Sequence, residues 1–161
     1  MAPKIKPPPE QTPFGHLTEA RLHHVVGYQL AQATITTTRV FVERIGAVFD
    51  LRPVEFTVLT LVHENPGVAA KQLAQALAVT PPNITMWIDK LEKRGLIERE
   101  RSSTDGRAQH IRATADGAAL ARQALEQVAD GEQAALESLS VAERAMLVEL
   151  LNKVARCRRH R

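Results

Sequence analysis

The chain has 161 residues, of which 44% are hydrophobic and 24% are charged, as is ordinary for one globular domain with an appended element. Its only cysteine, Cys157, excludes an internal disulfide framework and fits a reducing cytoplasm. A net charge of +3 permits a polyanionic partner without identifying one. The sequence shows neither a secretory signal nor an apolar run long enough to predict a membrane-spanning helix.

The N-terminal part of the chain combines a proline-rich tail with a long helical pattern. Residues 1–16 contain five of the nine prolines, which predicts an extended or disordered tail. From residue 17 to residue 50, apolar residues recur at steps of three and four, as on one face of a helix. A helix of this length is too long for a small monomeric core, so we expect it to pack along a partner chain.

Three shorter helices follow, each delimited by local signals. Pro53 occupies the first turn of one helix, which ends at Asn65-Pro66-Gly67. The next helix is predicted over residues 69–78, and the third begins after Thr80 as its N-cap and ends at Gly95. The third helix turns a set of mostly small polar side chains outward: Pro82, Asn83, Thr85, Met86, Asp89 and Lys90.

After Gly95 the apolar period changes from that of a helix to that of strands. Residues 96–101 and 109–113 predict a β-hairpin around a turn-rich segment. Thr114 is expected to cap one further helix, and Ser140 to open a capping box for the last. The fold class is therefore mainly α: a winged helix-turn-helix over residues 51–114, with a small β-hairpin wing, and a helical dimerisation region formed by residues 17–50 and 115–161.

A helix-turn-helix followed by an arginine-bearing hairpin is suited to DNA. Small polar side chains on the outer face of the third helix reach base edges in the major groove, and its positive dipole end faces the phosphates. Hairpin arginines are long enough to reach a flanking minor groove or the backbone. The residues predicted to contact DNA are Thr80, Pro82, Asn83, Thr85, Met86, Lys90, Arg99, Arg101, Ser103, Asp105 and Arg107.

The sequence from about residue 26 to residue 154 resembles the MarR transcriptional regulators. The resemblance rests on residues 51–59, on the helix-turn-helix segments 71–77 and 88–99, on the wing motif Asp105-Gly106-Arg107 and on residues 111–117. It implies a homodimer with interlocked terminal helices and a palindromic operator, and it implies that Asp105 holds Arg107 for the minor groove. Two departures are Ala69-Ala70 in place of a Ser or Thr cap and Pro82 in the recognition helix.

A small-molecule effector is expected where the first helix, the second helix and the inner face of the recognition helix meet. Aromatic carboxylates and their thioesters are common ligands of the family that the chain resembles, and nothing in the sequence selects one. A ligand-responsive DNA-binding regulator, and most simply a repressor, follows as a hypothesis. The residues predicted to line this pocket are His23, Val26, Gln29, Leu30, Ala33, Leu59, His63 and Trp87.

Other functions are weighed against this one. Cys157 stands among arginines that would lower its pKa, so a cysteine-based redox-sensing regulator is one alternative. A winged-helix module that binds protein in place of DNA is another. The six histidines have no metal-ligand spacing, and no nucleophile elbow, phosphate-binding glycine loop or paired carboxylates suggest an enzyme, so neither a metal nor a cofactor is expected.

Overall fold

The computed structural model describes residues 11–101 and 109–158. These residues are mainly helical with one two-stranded antiparallel sheet, which confirms the predicted fold class. The helices are α1 (Val26–Phe41), α2 (Ala47–Phe49), α3 (Pro53–Glu64), α4 (Ala70–Leu77), α5 (Pro81–Lys93), α6 (Ala115–Ala135) and α7 (Val141–Arg156), and the strands are β1 (Ile97–Arg101) and β2 (Gln109–Ala113).

The chain divides into two compact units between Arg39 and Val40. In the first unit a hydrogen-bonded turn precedes α1, with Gln11 bridged to Thr18, so the last part of the predicted tail is structured and residues 1–10 lie outside the described residues. The buried Glu19 carboxylate accepts a 2.6 Å hydrogen bond from the Tyr28 hydroxyl. This contact holds residues before α1 in turns, and the helix begins at Val26 where the apolar pattern alone predicts residue 17.

The second unit begins at the end of the long helix. One π-turn, Val42–Gly46, joins α1 to α2, and Asp50 ends the helix in the left-handed region at φ 49°. Gly131, in the middle of α6, faces this segment, because a Cβ there would lie 2.7 Å from Val40 Cγ1. The glycine that interrupts the apolar stripe of α6 therefore permits a close approach between helices.

The core of the second unit lies among α3, α5, α6 and the hairpin. Val58, Leu59 and Val62 of α3 are fully buried and belong to one cluster with Ile88 and Leu91 of α5. Burial of such side chains contributes about 1.5–3 kcal/mol each. The predicted boundaries of α3 at Pro53 and Asn65 are confirmed, since both are set by local signals.

The recognition helix α5 and helix α6 are joined at their adjacent ends. Gly95 adopts φ +68° and donates to the Glu92 carbonyl, and Leu96 donates to Leu91, which together form a Schellman C-cap. The Thr114 hydroxyl accepts from the Gly117 amide, as predicted for an N-cap, and also donates to the Gly95 carbonyl at 2.7 Å. One side chain thus starts α6 and fixes the end of α5.

The hairpin is anchored on both edges of its second strand. Ile97 pairs with Ala113 and Arg99 with Ile111 in the antiparallel register. On the other edge Ile111 forms a β-bridge with Val68 in the loop before α4. The base of the wing is therefore held to the helix-turn-helix by backbone hydrogen bonds.

The C-terminal helix α7 begins at a capping box and buries none of its residues. The predicted capping box is confirmed, since the Ser140 hydroxyl accepts from the Glu143 amide and the Glu143 carboxylate accepts from the Ser140 amide. Every residue of α7 except Arg144 is exposed, including the apolar residues Leu147 and Leu151. Among helices of the described residues, none is long and apolar enough to cross a membrane.

Candidate nucleic-acid interface

The reading face is the exposed outer side of α5, formed by Pro82, Asn83, Thr85 and Met86. Ile84, Ile88 and Leu91 turn to the core on the opposite side of the helix, and this alternation fixes which residues project. Met86 keeps 56% of its surface exposed. The Thr85 hydroxyl donates to the Pro81 carbonyl at 3.0 Å, so its proton is already used within the helix. The face offers the Asn83 amide, the Thr85 hydroxyl oxygen as an acceptor and otherwise apolar groups.

Thr80 stands at the N-cap position of α5, as predicted, but its side chain makes no capping hydrogen bond. The reason is the pair of prolines that follows. An N-cap side chain accepts from the second or third helical amide, and Pro82 at the second position has no N–H. The third amide, of Asn83, donates to the Thr80 carbonyl at 3.1 Å. The Thr80 side chain is exposed beside the reading face.

Lys90, predicted to contact DNA, pairs with a buried acid of α3. Its Nζ lies 2.6 Å from Glu55 Oε1, and the Glu55 side chain is only 1% exposed. Burial raises the pKa of Glu55, but the Lys90 ammonium and the Arg52 amide, which donates to Oε2 at 3.1 Å, outweigh it and hold the pKa below its ordinary value. Lys90 thus ties α5 to α3 while 45% of its side chain stays exposed, and its contact with DNA stays a prediction.

The sequence analysis missed Glu55, although its spacing from the apolar residues of α3 indicates a buried position. It lies three, four and seven residues before Val58, Leu59 and Val62, which places its carboxylate on the buried face of α3. An acid on an apolar stripe needs a cation partner. The partner could not be chosen from the sequence, because Lys90 and Glu55 meet only in the folded chain.

Arg99 is likewise engaged within the protein. Its guanidinium donates to Glu92 Oε2 at 2.7 Å and to Asp89 Oδ1, so one arginine of β1 binds two carboxylates of the recognition helix. These pairs fix the wing against α5, and the contact of Arg99 with DNA stays a prediction. Hydrogen bonds between two ionised groups, as here, are stronger than those between neutral groups.

A third cation holds the C-terminal end of α5. Arg94 donates from Nη1 to the Asp50 carbonyl at 2.6 Å and from Nη2 to the Phe49 carbonyl at 2.9 Å. These carbonyls lie at the C-terminal end of α2, where a cation is favourable. Lys90, Arg94 and Arg99 therefore fix α5 to three different elements of the second unit.

The tip of the wing lies outside the described residues. Ser103, Asp105 and Arg107 belong to it, and for Arg101 only the backbone pairing with Gln109 is described. Their roles at DNA stay predictions. What the structure describes is the base of the wing, where the Arg112 guanidinium pairs with Glu100 at 3.1 Å.

The eight residues predicted to line a ligand pocket divide between the two units. In the first unit, the Gln29 side chain donates to the His23 carbonyl at 2.9 Å, and Val26, Leu30 and Ala33 follow on α1. In the second unit Leu59 is completely buried, while His63 and Trp87 are half-buried. Leu59 exposes no surface to a ligand, and the rest of the pocket stays a prediction.

A concave groove of about 360 Å³ lies between α3 and α6 within the second unit. We call it the α3–α6 groove. Its apolar walls include Phe56, Leu61 and Val128. The polar residues that line it are Thr57, Thr60, Glu64 and Glu132. The sequence analysis did not single out this surface, because it forms only where the two helices pack.

Cys157 and the histidines can also be placed. Cys157 is exposed at the end of α7, and its Sγ donates to the Lys153 carbonyl at 3.4 Å. His110 Nδ1 lies 2.8 Å from the Gly67 carbonyl oxygen at the base of the wing. Within the described residues, no three His, Cys, Asp or Glu side chains converge as a metal site requires.

Comparison with known proteins agrees with this geometry. The profile of the MarR family matches residues 51–108. A putative transcriptional regulatory protein for the hcr operon of Thauera aromatica is 28% identical over 148 residues, which are 92% of this chain and 89% of the relative.

Two solved structures contain DNA. The transcriptional repressor CouR, bound to a 23-mer DNA duplex, superposes with a TM-score of 0.78 and 32% identity over 86% of this chain and 98% of its own. A mutant MarR from E. coli complexed with operator DNA gives a TM-score of 0.70 and 26% identity over 80% of this chain and 91% of its own. The chain belongs to the MarR family of winged-helix transcriptional regulators, which bind DNA and are not enzymes.

Proposed function

We propose that the protein is a homodimeric repressor that binds a palindromic operator and is released from it by a small molecule. The observation that carries the DNA-binding part is the asymmetry of α5. Its cations Lys90 and Arg94 pair with groups of α3 and of the end of α2, while Asn83 and Met86 project from its N-terminal half. A helix that is rigidly held and exposes its N-terminal residues has the geometry of a recognition helix.

The exposed apolar face of α7 supports the dimer. Leu147, Leu150 and Leu151 have 39–50% of their surface exposed, and an apolar helix face of this kind is stabilised by burial against a partner. A two-fold axis would place two recognition helices about 34 Å apart, one turn of B-DNA, as an operator with two half-sites requires.

The α3–α6 groove supports the response to a ligand. Its volume is that of a small-molecule site, and α3 also carries Glu55, the buried partner of the recognition helix. A ligand in the groove that prefers a different position of α3 would weaken operator binding by linkage. A preference of about 100-fold between the two arrangements, or about 2.7 kcal/mol, is sufficient.

The DNA interface is tested by measuring operator affinity against salt for matched variants. Asn83→Ala should cost about 1–3 kcal/mol per half-site and leave the salt dependence unchanged, because it removes a base contact. Arg107→Ala should flatten the log–log slope by roughly one unit for each phosphate contact that it removes. Arg122→Gln, which removes an exposed cation of α6, is the control and should change neither quantity.

The alternatives predict different results in the same assay. A winged-helix module for protein partners would tolerate loss of both Asn83 and Arg107, and that result would refute the proposal. A redox-sensing regulator would lose operator affinity on mild oxidation, and the response would disappear in Cys157→Ser. Titration of candidate ligands in the gel-shift assay tests the effector response separately from these two.

A further inference from the structure

The charged groups that line the α3–α6 groove are all negative. Among its lining residues are two carboxylates, Glu64 on α3 and Glu132 on α6, and none of the lining residues is a lysine, arginine or histidine. Neither carboxylate makes an ion pair with a described residue. An anion entering this groove would meet like charge from the residues that line it, which is unfavourable at short range.

A second observation concerns Thr60, one of the residues that line the groove. Thr60 Oγ1 is buried and has no hydrogen-bond partner among the described residues. Its neighbour on the same helix, Thr57, donates to the Pro53 carbonyl at 2.9 Å. A buried hydroxyl without a partner is unfavourable, and rotation of the Thr60 side chain toward the groove would let a ligand supply the missing hydrogen bond.

The walls between the hydroxyl and the carboxylates are apolar. Phe56 and Leu61 contribute from α3, and Leu125 and Val128 from α6. The Phe56 ring is fixed by an edge contact with Phe41, with centroids 5.7 Å apart. The walls therefore match the flat or aliphatic part of a ligand, and the carboxylates of Glu64 and Glu132 match its positive group.

We propose that the effector of the α3–α6 groove is an amphiphilic organic cation, an ammonium ion on an apolar body, held by Glu64 and Glu132 with a hydrogen bond to Thr60. This inference rests on the proposed effector response and departs from the carboxylates that the family resemblance suggests. It assigns the charge of the ligand from the residues of this chain.

The inference is tested with three probes of one skeleton: 2-phenylethylammonium, 2-phenylethanol and 3-phenylpropanoate. Calorimetric titration into the full chain should give affinities in that order, with the cation about tenfold tighter than the alcohol, since an exposed ion pair contributes up to about fivefold and two are available. The preference should shrink as salt is raised. Operator release, followed by gel shift, should follow the same order.

Matched variants locate the effect. Glu64→Gln and Glu132→Gln should each reduce the preference for the cation by about two- to fivefold, whereas Glu126→Gln, an exposed carboxylate of α6 outside the groove, should leave it unchanged. Thr60→Val should weaken binding of the ammonium and the alcohol by about three- to tenfold. Thermal melts should show that all four variants fold, since none removes a described hydrogen bond.

The outcomes separate the two proposals. Tighter binding of 3-phenylpropanoate with operator release would overturn the cation inference and leave the effector response standing. Cation binding that ignores both Glu64→Gln and Glu132→Gln, or no binding of 2-phenylethylammonium, would also overturn it. Cation binding in the groove with no change in operator affinity would keep the charge selectivity and refute the regulatory role.

Discussion

Apolar side chains are buried in the winged-helix lobe, residues 51–114, but exposed in helix α7. In the lobe, Val58, Leu59 and Leu91 are completely buried, and charged groups are paired across elements. In α7, no residue is buried, and the described ion pair, Lys153 with Glu149, lies within the helix. The lobe shares one core with α6, whereas the apolar face of α7 lies outside that core. Folding of one chain buries the apolar surface of the lobe, whereas only assembly can bury that of α7.

The largest effect is expected where the lobe meets α6. In Gly117→Ala the new Cβ would stand 1.8 Å from the Leu96 carbonyl oxygen, and backbone atoms cannot move aside as a side chain does. We expect a loss of more than about 3 kcal/mol in the free energy of unfolding, measured by urea denaturation. Gly27→Ala on α1, where a Cβ meets nothing within 4 Å, is the control and should gain about 0.5–1 kcal/mol. Equal stability of the two variants would contradict the packing at Leu96.

The next effect concerns the buried carboxylate of the lobe. Lys90→Met leaves Glu55 buried without its cation, which should cost about 3 kcal/mol of unfolding free energy. Lys93→Met removes a neighbouring exposed cation of α5 and should change little. If both variants were equally stable, the ion pair would not fix α5 to α3.

The same pair gives a pH dependence of defined sign. Because the pKa of Glu55 is lowered in the folded chain, the ionised carboxylate stabilises the fold above the ordinary value of 4.5. That contribution is lost as the pH falls through the lowered value. In Lys90→Met, burial still raises the pKa of Glu55, but the ammonium that lowers it is gone. Acidification should then no longer destabilise the fold through Glu55. Unfolding free energies measured from neutral pH to below pH 4.5 check both profiles.

A smaller effect is expected in α7, and on assembly only. Leu147→Asp should weaken the proposed dimer by about 2–3 kcal/mol, because a two-fold axis would bury this half-exposed side chain in both copies. Sedimentation should show more monomer, while circular dichroism retains the helical signal of the lobe. Ala119→Asp adds the same charge to an exposed site of α6 and should leave the assembly unchanged. Unaltered sedimentation of Leu147→Asp would place the dimer interface elsewhere.

The elements that the sequence predicted well are those whose boundaries are set within a few residues. Pro53, Thr114 and Ser140 begin helices because ring geometry or a hydroxyl acts on the nearest amides. The start of α1 was misplaced because the hydrogen bond between Glu19 and Tyr28 depends on a turn, which helical spacing does not reveal.

The roles of the cations could be predicted only in part. A lysine or arginine near DNA-reading residues has the same appearance whether it binds a phosphate or a carboxylate of its own chain. Lys90 meets Glu55 and Arg94 meets the Phe49 carbonyl across 35 and 45 residues of sequence. Such pairs follow from the folded arrangement, whereas the exposure of Asn83 follows from the helical period alone.

The two prolines that open α5 have a consequence for the kind of operator that it can read. A helix usually presents free amides at its first turn, and phosphate oxygens settle there. Here Pro81 and Pro82 put pyrrolidine rings at that position, and the backbone N–H of Asn83 already donates to the Thr80 carbonyl. The tip of the helix therefore approaches the groove as a hydrocarbon surface. Replacing thymine with deoxyuridine opposite this tip should matter more than neutralising the nearest phosphate with a methylphosphonate.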